Sequence, residues 1–184
     1  MKKLVTILSL AALTTLAGSA AWAKDMKGMW GLGYTRSEFP IGARFWLSPS
    51  VGLDLGVGFS AFTPDGGDGQ TAFGVDVGVP FVVASTENAH FFVRPGISFA
   101  DNGAEVGPFT DAVSQFWVSG TLGAEYFFTD SFSIQAGHGI LYRSVTTEFE
   151  VSPGVTDEVT DSYIESEAFG ISSIGFHWYW GGSR

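Results

Sequence analysis

Val51 to Ser60 reads VGLDLGVGFS, and Phe73 to Phe81 reads FGVDVGVPF. In the first stretch Val51, Leu53, Leu55, Val57 and Phe59 alternate with Gly52, Asp54, Gly56, Gly58 and Ser60. In the second, Phe73, Val75, Val77, Val79 and Phe81 alternate with Gly74, Asp76 and Gly78. Strict period two is the signature of strands, because successive side chains of a strand point to opposite faces. One face here is bulky and apolar, and the other is slim, with a single carboxylate in each stretch.

The same pattern fills the chain from Trp30 onward. Eight runs are expected, at Met29 to Thr35, Pro40 to Ser48, Val51 to Ser60, Thr71 to Val83, His90 to Ala100, Val113 to Phe128, Ser131 to Ser144 and Ser166 to Trp180. Short turns fall at Ser48-Pro49-Ser50, Ala84 to Ala89 and Thr129-Asp130, rich in the residues that turns use. Longer loops are expected at Arg36 to Phe39, Ala61 to Gln70, Asp101 to Ala112 and Val145 to Glu165. An even number of antiparallel strands with alternating short and long connections predicts an all-β, eight-stranded up-and-down barrel.

Volume decides which face lies inside. An eight-stranded barrel has an interior just wide enough for side chains to fill, so the slim face is expected inside and the bulky face outside. A water-soluble protein does not tolerate that much contiguous apolar surface, whereas lipid accepts it, and a closed barrel satisfies its backbone groups within a bilayer. Aromatics near the run ends, among them Phe59, Phe73, Phe91, Phe99, Phe116, Phe128, Tyr142, Phe169, Trp178 and Trp180, suit the two membrane interfaces. Pro80 and Pro95 fall inside expected strands, where proline forfeits a ladder hydrogen bond, so bulges or strand ends are expected beside them.

The remainder of the sequence is consistent with export. Lys2 and Lys3, the apolar run Leu4 to Ala17 and the small-x-small site Ala21-Trp22-Ala23 predict a cleaved signal peptide over residues 1–23. Residues 24–184 then form the barrel domain, with no second module expected. No later apolar run is long enough for a membrane helix. The chain has no cysteine, which excludes disulfides and thiol chemistry. With 9 basic against 19 acidic residues, it is a poor partner for nucleic acid.

Six charged residues sit within the strands on the slim face: Arg44, Asp54, Asp76, Arg94, Glu125 and Arg143. Counted from the turns, Arg44 faces Asp54, and Asp76 and Arg94 flank the second turn nearly as symmetrically. Glu125 joins the first layer, and Arg143 lies near the external mouth. These six are expected to form an ion-pair network that fills the lumen, and a one-residue slip would turn them towards lipid.

At this point the whole mature chain resembles the small outer-membrane β-barrel family typified by the transmembrane domain of outer membrane protein A and by outer membrane protein X. The resemblance implies an outer-membrane location, lipid and lipopolysaccharide as surroundings, and a monomer. It also implies that Ile174, Phe176, Trp178 and Trp180, alternating into a terminal aromatic, act as the C-terminal signal read by the barrel-assembly machinery. Four residues, 181–184, follow that aromatic.

Some barrels of this size modify lipid A, using a His near a Ser and a carboxylate at the outer leaflet. Here His90 and His177 lie at the periplasmic end. His138, in Gly137-His138-Gly139, faces lipid by strict alternation unless a bulge turns it inward. No catalysis, cofactor or metal site is expected. From Glu148 to Glu167 the chain is acidic, and alternation through Val145, Thr147, Phe149 and Val151 resumes near Val159 around Pro153-Gly154. A hairpin rising above the membrane, similar to that of outer membrane protein X, would offer a strand edge for partner binding. Its carboxylates Glu148, Glu150, Asp157, Glu158 and Asp161 have the oxygen chemistry that Ca²⁺ or Mg²⁺ prefers, which suggests bridging to lipopolysaccharide phosphates. The plain alternative is a solvated acidic loop.

The function expected is therefore a barrel with a charge-filled lumen and a structural or surface-interaction role. A narrow pore or conduit is the alternative, and a lipid A-modifying enzyme is a third reading that only His138 favours.

Overall fold

The computed structural model describes residues 24–62, 70–101, 112–152, 155–166 and 173–182. The expected signal peptide, Phe169 and Glu167 lie outside these residues. Ten strand segments carry the fold: β1 (Met29–Tyr34), β2 (Ile41–Trp46), β3 (Gly52–Phe62), β4 (Gln70–Gly78), β5 (Phe81–Ser85), β6 (Ala89–Asp101), β7 (Ala112–Phe127), β8 (Phe132–Ser152), β9 (Val155–Ser166) and β10 (Ser173–Gly181). Among the described residues there is no helix.

These segments occupy eight positions around one closed antiparallel barrel. β4 and β5 share a position, since both pair with β6, and β9 and β10 share another, since both pair with β8. β10 then pairs with β1 from Met29↔Gly181 to Tyr34↔Phe176, so the barrel has no open edge along its wall.

The bulky face is outside. In β3, Leu55, Val57 and Phe59 are exposed while Gly52, Asp54, Gly56 and Gly58 are buried, and β4 repeats this with Phe73, Val75 and Val77 outside and Gly74, Asp76 and Gly78 inside. Slimness alone does not fill the tube, however. A few large side chains point inward, and several of them lie over a glycine. A Cβ on Gly78 would fall inside the Arg94 guanidinium, and one on Gly123 would fall inside the Phe92 ring. The glycines therefore act as seats for Arg94 and Phe92, and methyl groups there would overpack the core.

The two prolines behave differently. β4 stops at Gly78, Val79-Pro80 interrupts the wall, and β5 restarts at Phe81 with a register shift between Val82 and Ala84. Backbone bonds still bridge the gap, from Gly52 N–H to Pro80 O at 2.9 Å and from Val79 N–H to Pro95 O at 3.0 Å. Pro95, by contrast, neither bends nor ends β6, and it pairs opposite Gly120 beside the interruption that Pro80 makes. One break thus accommodates the missing donors of both residues.

The connection expected as a longer loop at Arg36 to Phe39 is a tight turn, closed by Phe39 N–H donating to Arg36 O at 3.2 Å. It folds into the barrel mouth over Gly56, Gly58 and Gly74, where Cβ atoms would collide with Phe39 or with the Glu38 carbonyl. Val145 to Glu165, counted among the longer connections but with alternation that pointed to a hairpin, is a strand pair: β8 runs on to Ser152 and β9 returns beside it in register from Ile140↔Ser166 to Glu150↔Thr156.

Candidate functional site

Two layers fill the interior below an open vestibule, beginning at the end with the short turns. There Met26, Trp46, Phe127 and Tyr179 form a buried apolar cluster, with the His90 ring edge-on to Trp46 at 5.6 Å and to Phe127 at 5.0 Å. This layer closes the turn end.

The second layer is a continuous chain of alternating charge. Glu125 accepts from Arg44 Nη1 at 2.7 Å, and Arg44 grips both oxygens of Asp54 at 2.6 and 2.8 Å. Asp54 also accepts from Arg94 Nε at 2.7 Å, Arg94 reaches Asp76, and Asp76 accepts from Arg36 Nη2 at 2.9 Å. Strand register places the first contact, because Arg44 and Asp54 are direct partners across β2 and β3. Ser133, Tyr179 and Ser98 take up remaining carboxylate lone pairs. Every ion in this chain has an opposite charge beside it, which is the requirement for burying charge; among the described residues, the Arg36 Nε alone of their buried donors is left without an acceptor.

Two placements differ from the expectation. Arg143 stands outside this network and instead donates to Glu165 Oε1 at 2.6 Å, nearer the mouth. Its place is taken by Arg36, which sits on the β1–β2 turn and so carries no strand alternation to reveal it. The balance of three acids and three bases is kept with this exchange.

His90 and His177 are fully buried inside the barrel, and His177 Nδ1 lies 3.7 Å from Glu125 Oε1. Alternation already carried this information, since Phe91, Phe176 and Trp178 occupy the opposite face. His138 is on the outer face, and the β7–β8 register runs unbroken through Leu122↔His138. No bulge turns it inward.

A cavity of about 30 Å³ remains among Asp54, Asp76, Arg94, Thr121 and Gln135, room for roughly one water molecule. Above it, at the hairpin end, opens a vestibule of about 460 Å³ lined by residues that include Arg36, Phe39, Trp117, Leu141, Arg143 and Glu165. Phe39 and Trp117 meet edge to face at 5.5 Å, and the Arg36 guanidinium lies 4.7 Å from the Phe39 ring and 5.6 Å from the Trp117 ring. Trp117 is the direct cross-strand partner of Arg143.

On the hairpin, the acidic residues do not gather into one cluster. Glu148 and Glu158 are cross-strand partners on one face, while Asp157 and Asp161 pair opposite Phe149 and Val145 on the other. Glu150 is opposite Thr156. Among the described residues, no group of three or more His, Asp or Glu is placed to hold a metal ion.

At the C-terminal end, Ile174, Phe176, Trp178 and Trp180 all face outward from β10, which is the seam partner of β1. Comparison of the chain with family models, with curated proteins and with solved structures returned no match in any of the three.

Proposed function

We propose that this chain is an outer-membrane β-barrel with a closed lumen that serves a structural or surface-interaction role. The observation that carries the reading is the outer wall. On β7, exposed Phe116, Val118, Leu122 and Tyr126 run from one aromatic level to the other, the neighbouring strands add Ile97, Ile140 and Tyr142, and the strands beyond them add Phe59, Phe73 and Trp178. Phe116 to Tyr126 is ten steps along the strand, which at about 3.3 Å each and a tilt of about 40° spans roughly 25 Å, the height of the apolar band of such barrels. A water-exposed surface of that kind would aggregate.

The filled interior supports closure over conduction. The apolar layer blocks the turn end, and the ion-pair chain leaves a gap only the size of one water molecule. Surface interaction is supported by the hairpin, because β9 pairs with β8 alone and is exposed almost throughout. Its second edge has no strand partner among the described residues, which suits β-augmentation by an extended segment.

Two measurements test this. Membrane fractionation followed by gels of boiled and unboiled samples should place the protein in the outer membrane as a heat-modifiable species. Recovery in the soluble periplasm would overturn the location. Planar-bilayer recording should give no steady conductance, whereas a reproducible open level would replace closure with the narrow-pore alternative.

A further inference from the structure

We propose that the vestibule at the hairpin end is a binding site for a small organic monoanion, a carboxylate carried on an aromatic or short aliphatic body. The reading goes beyond the barrel's structural role and stands apart from what bathes its outer wall, since every contact lies within the mouth.

Hydrogen-bond supply is one-sided there. Arg36 Nε, Trp117 Nε1 and Arg143 Nε are buried donors without a protein acceptor, and all three residues line the same cavity. No buried side-chain acceptor among the described lining residues is left over to match them. Arginine and the indole N–H are donors only, so the group that complements this set offers acceptors and no donors, as a carboxylate does. Unmade hydrogen bonds of buried donors are costly, and a ligand oxygen arriving from the mouth would relieve that cost.

The walls select the rest of the molecule. Phe39, Trp117 and Leu141 form an apolar side against which a ring or short chain packs. The volume of about 460 Å³ falls within the range of small-molecule sites. Glu165 and Glu38 stand beside the two arginines, with Arg143 paired to Glu165 and Arg36 lying 3.9 Å from Glu38. A doubly charged ligand such as phosphate would meet those carboxylates, so one negative charge suits the site better than two.

The test uses the mature chain folded in detergent, with calorimetric titration of phenylacetate, of its uncharged isostere phenylacetamide and of inorganic phosphate. Phenylacetate should bind saturably to one site, with phenylacetamide and phosphate at least about tenfold weaker. Arg143→Gln should weaken phenylacetate by about tenfold or more, and Trp117→Phe by several-fold. Glu165→Gln should tighten it, because it frees Arg143 from its present partner, and a misfolded variant cannot mimic a gain. Equal binding of phenylacetate and phenylacetamide, stronger binding of phosphate, absence of saturable phenylacetate binding, or a Glu165→Gln variant no tighter than the parent would each overturn the proposal.

Discussion

β8 is one unbroken strand with two opposite polarities. From Ile134 to Tyr142 its outer face is mainly apolar, with His138 as the exception, while Ser133 and Gln135 point inward. From Ser144 onward the outer face carries Ser144, Thr146 and Glu148, paired with Ser162, Thr160 and Glu158 of β9. Val145, Thr147 and Phe149 move to the side facing the barrel axis. Backbone geometry does not change at this point, and the register through Tyr142↔Ile164 is continuous. What changes is the expected solvent. On the proposed membrane reading the side chains follow the medium on each face, and the reversal would put the edge of the apolar medium just beyond Tyr142 and Ile164.

The interior gives the strongest way to sharpen the contrast. Arg44 is fully buried between Asp54 and Glu125, whereas Arg143 is about a third exposed beside Glu165. Arg44→Met should cost about 3–5 kcal/mol, because it strands buried carboxylates. Arg143→Met should cost about 0–1 kcal/mol, as solvent-screened pairs do. Urea titrations of the chain folded into lipid vesicles would read both values, and equal costs would remove the distinction between the two positions.

The outer face comes next. Leu122→Arg, midway along the apolar wall, should cost about 2–4 kcal/mol in vesicles. Thr160→Arg, on the same side of the wall but above Tyr142, should stay within about 0.5 kcal/mol. If Thr160→Arg proved as damaging as Leu122→Arg, the solvent boundary would have to move up the hairpin. The smallest effect is steric: Gly123→Ala should cost about 1–3 kcal/mol by pushing against the Phe92 ring. Gly120→Ala, with open space around it, should be close to neutral.

Much of the wall was legible in the sequence, because a strand's period of two is enforced at every residue by pleat geometry. Arg44 and Asp54 could be placed opposite each other by counting from their turn for the same reason, whereas Asp76 stands opposite Ser98 and is reached by Arg94 from a lower position, because the break at Val79-Pro80 upsets the count. Arg36 could not be placed this way, since a turn residue obeys no alternation and enters the lumen only because Gly56, Gly58 and Gly74 leave room for its loop. Residues 145–165 carry an alternation that already pointed to a hairpin, and only their acidity left a solvated loop as the alternative, because the faces that alternate are exchanged relative to the wall below. The vestibule was invisible for a related reason: it is made by three distant segments, around Arg36, Trp117 and Arg143, whose convergence is a property of the closed barrel.

The seam between β1 and β10 has a consequence for how the chain reaches this state. Every other wall contact joins neighbours along the polypeptide, but Met29 meets Gly181 only after all intervening strands are in place. Such a distant pairing carries the largest loop-closure entropy in the molecule and sets a slow final step. Until it forms, two unpaired strand edges stand open to other chains. Closure of the seam is therefore expected to come last, so lesions in Gly31, Gly33 or Gly175, where an added Cβ would meet the facing strand, should show first as stalled assembly rather than as lost stability.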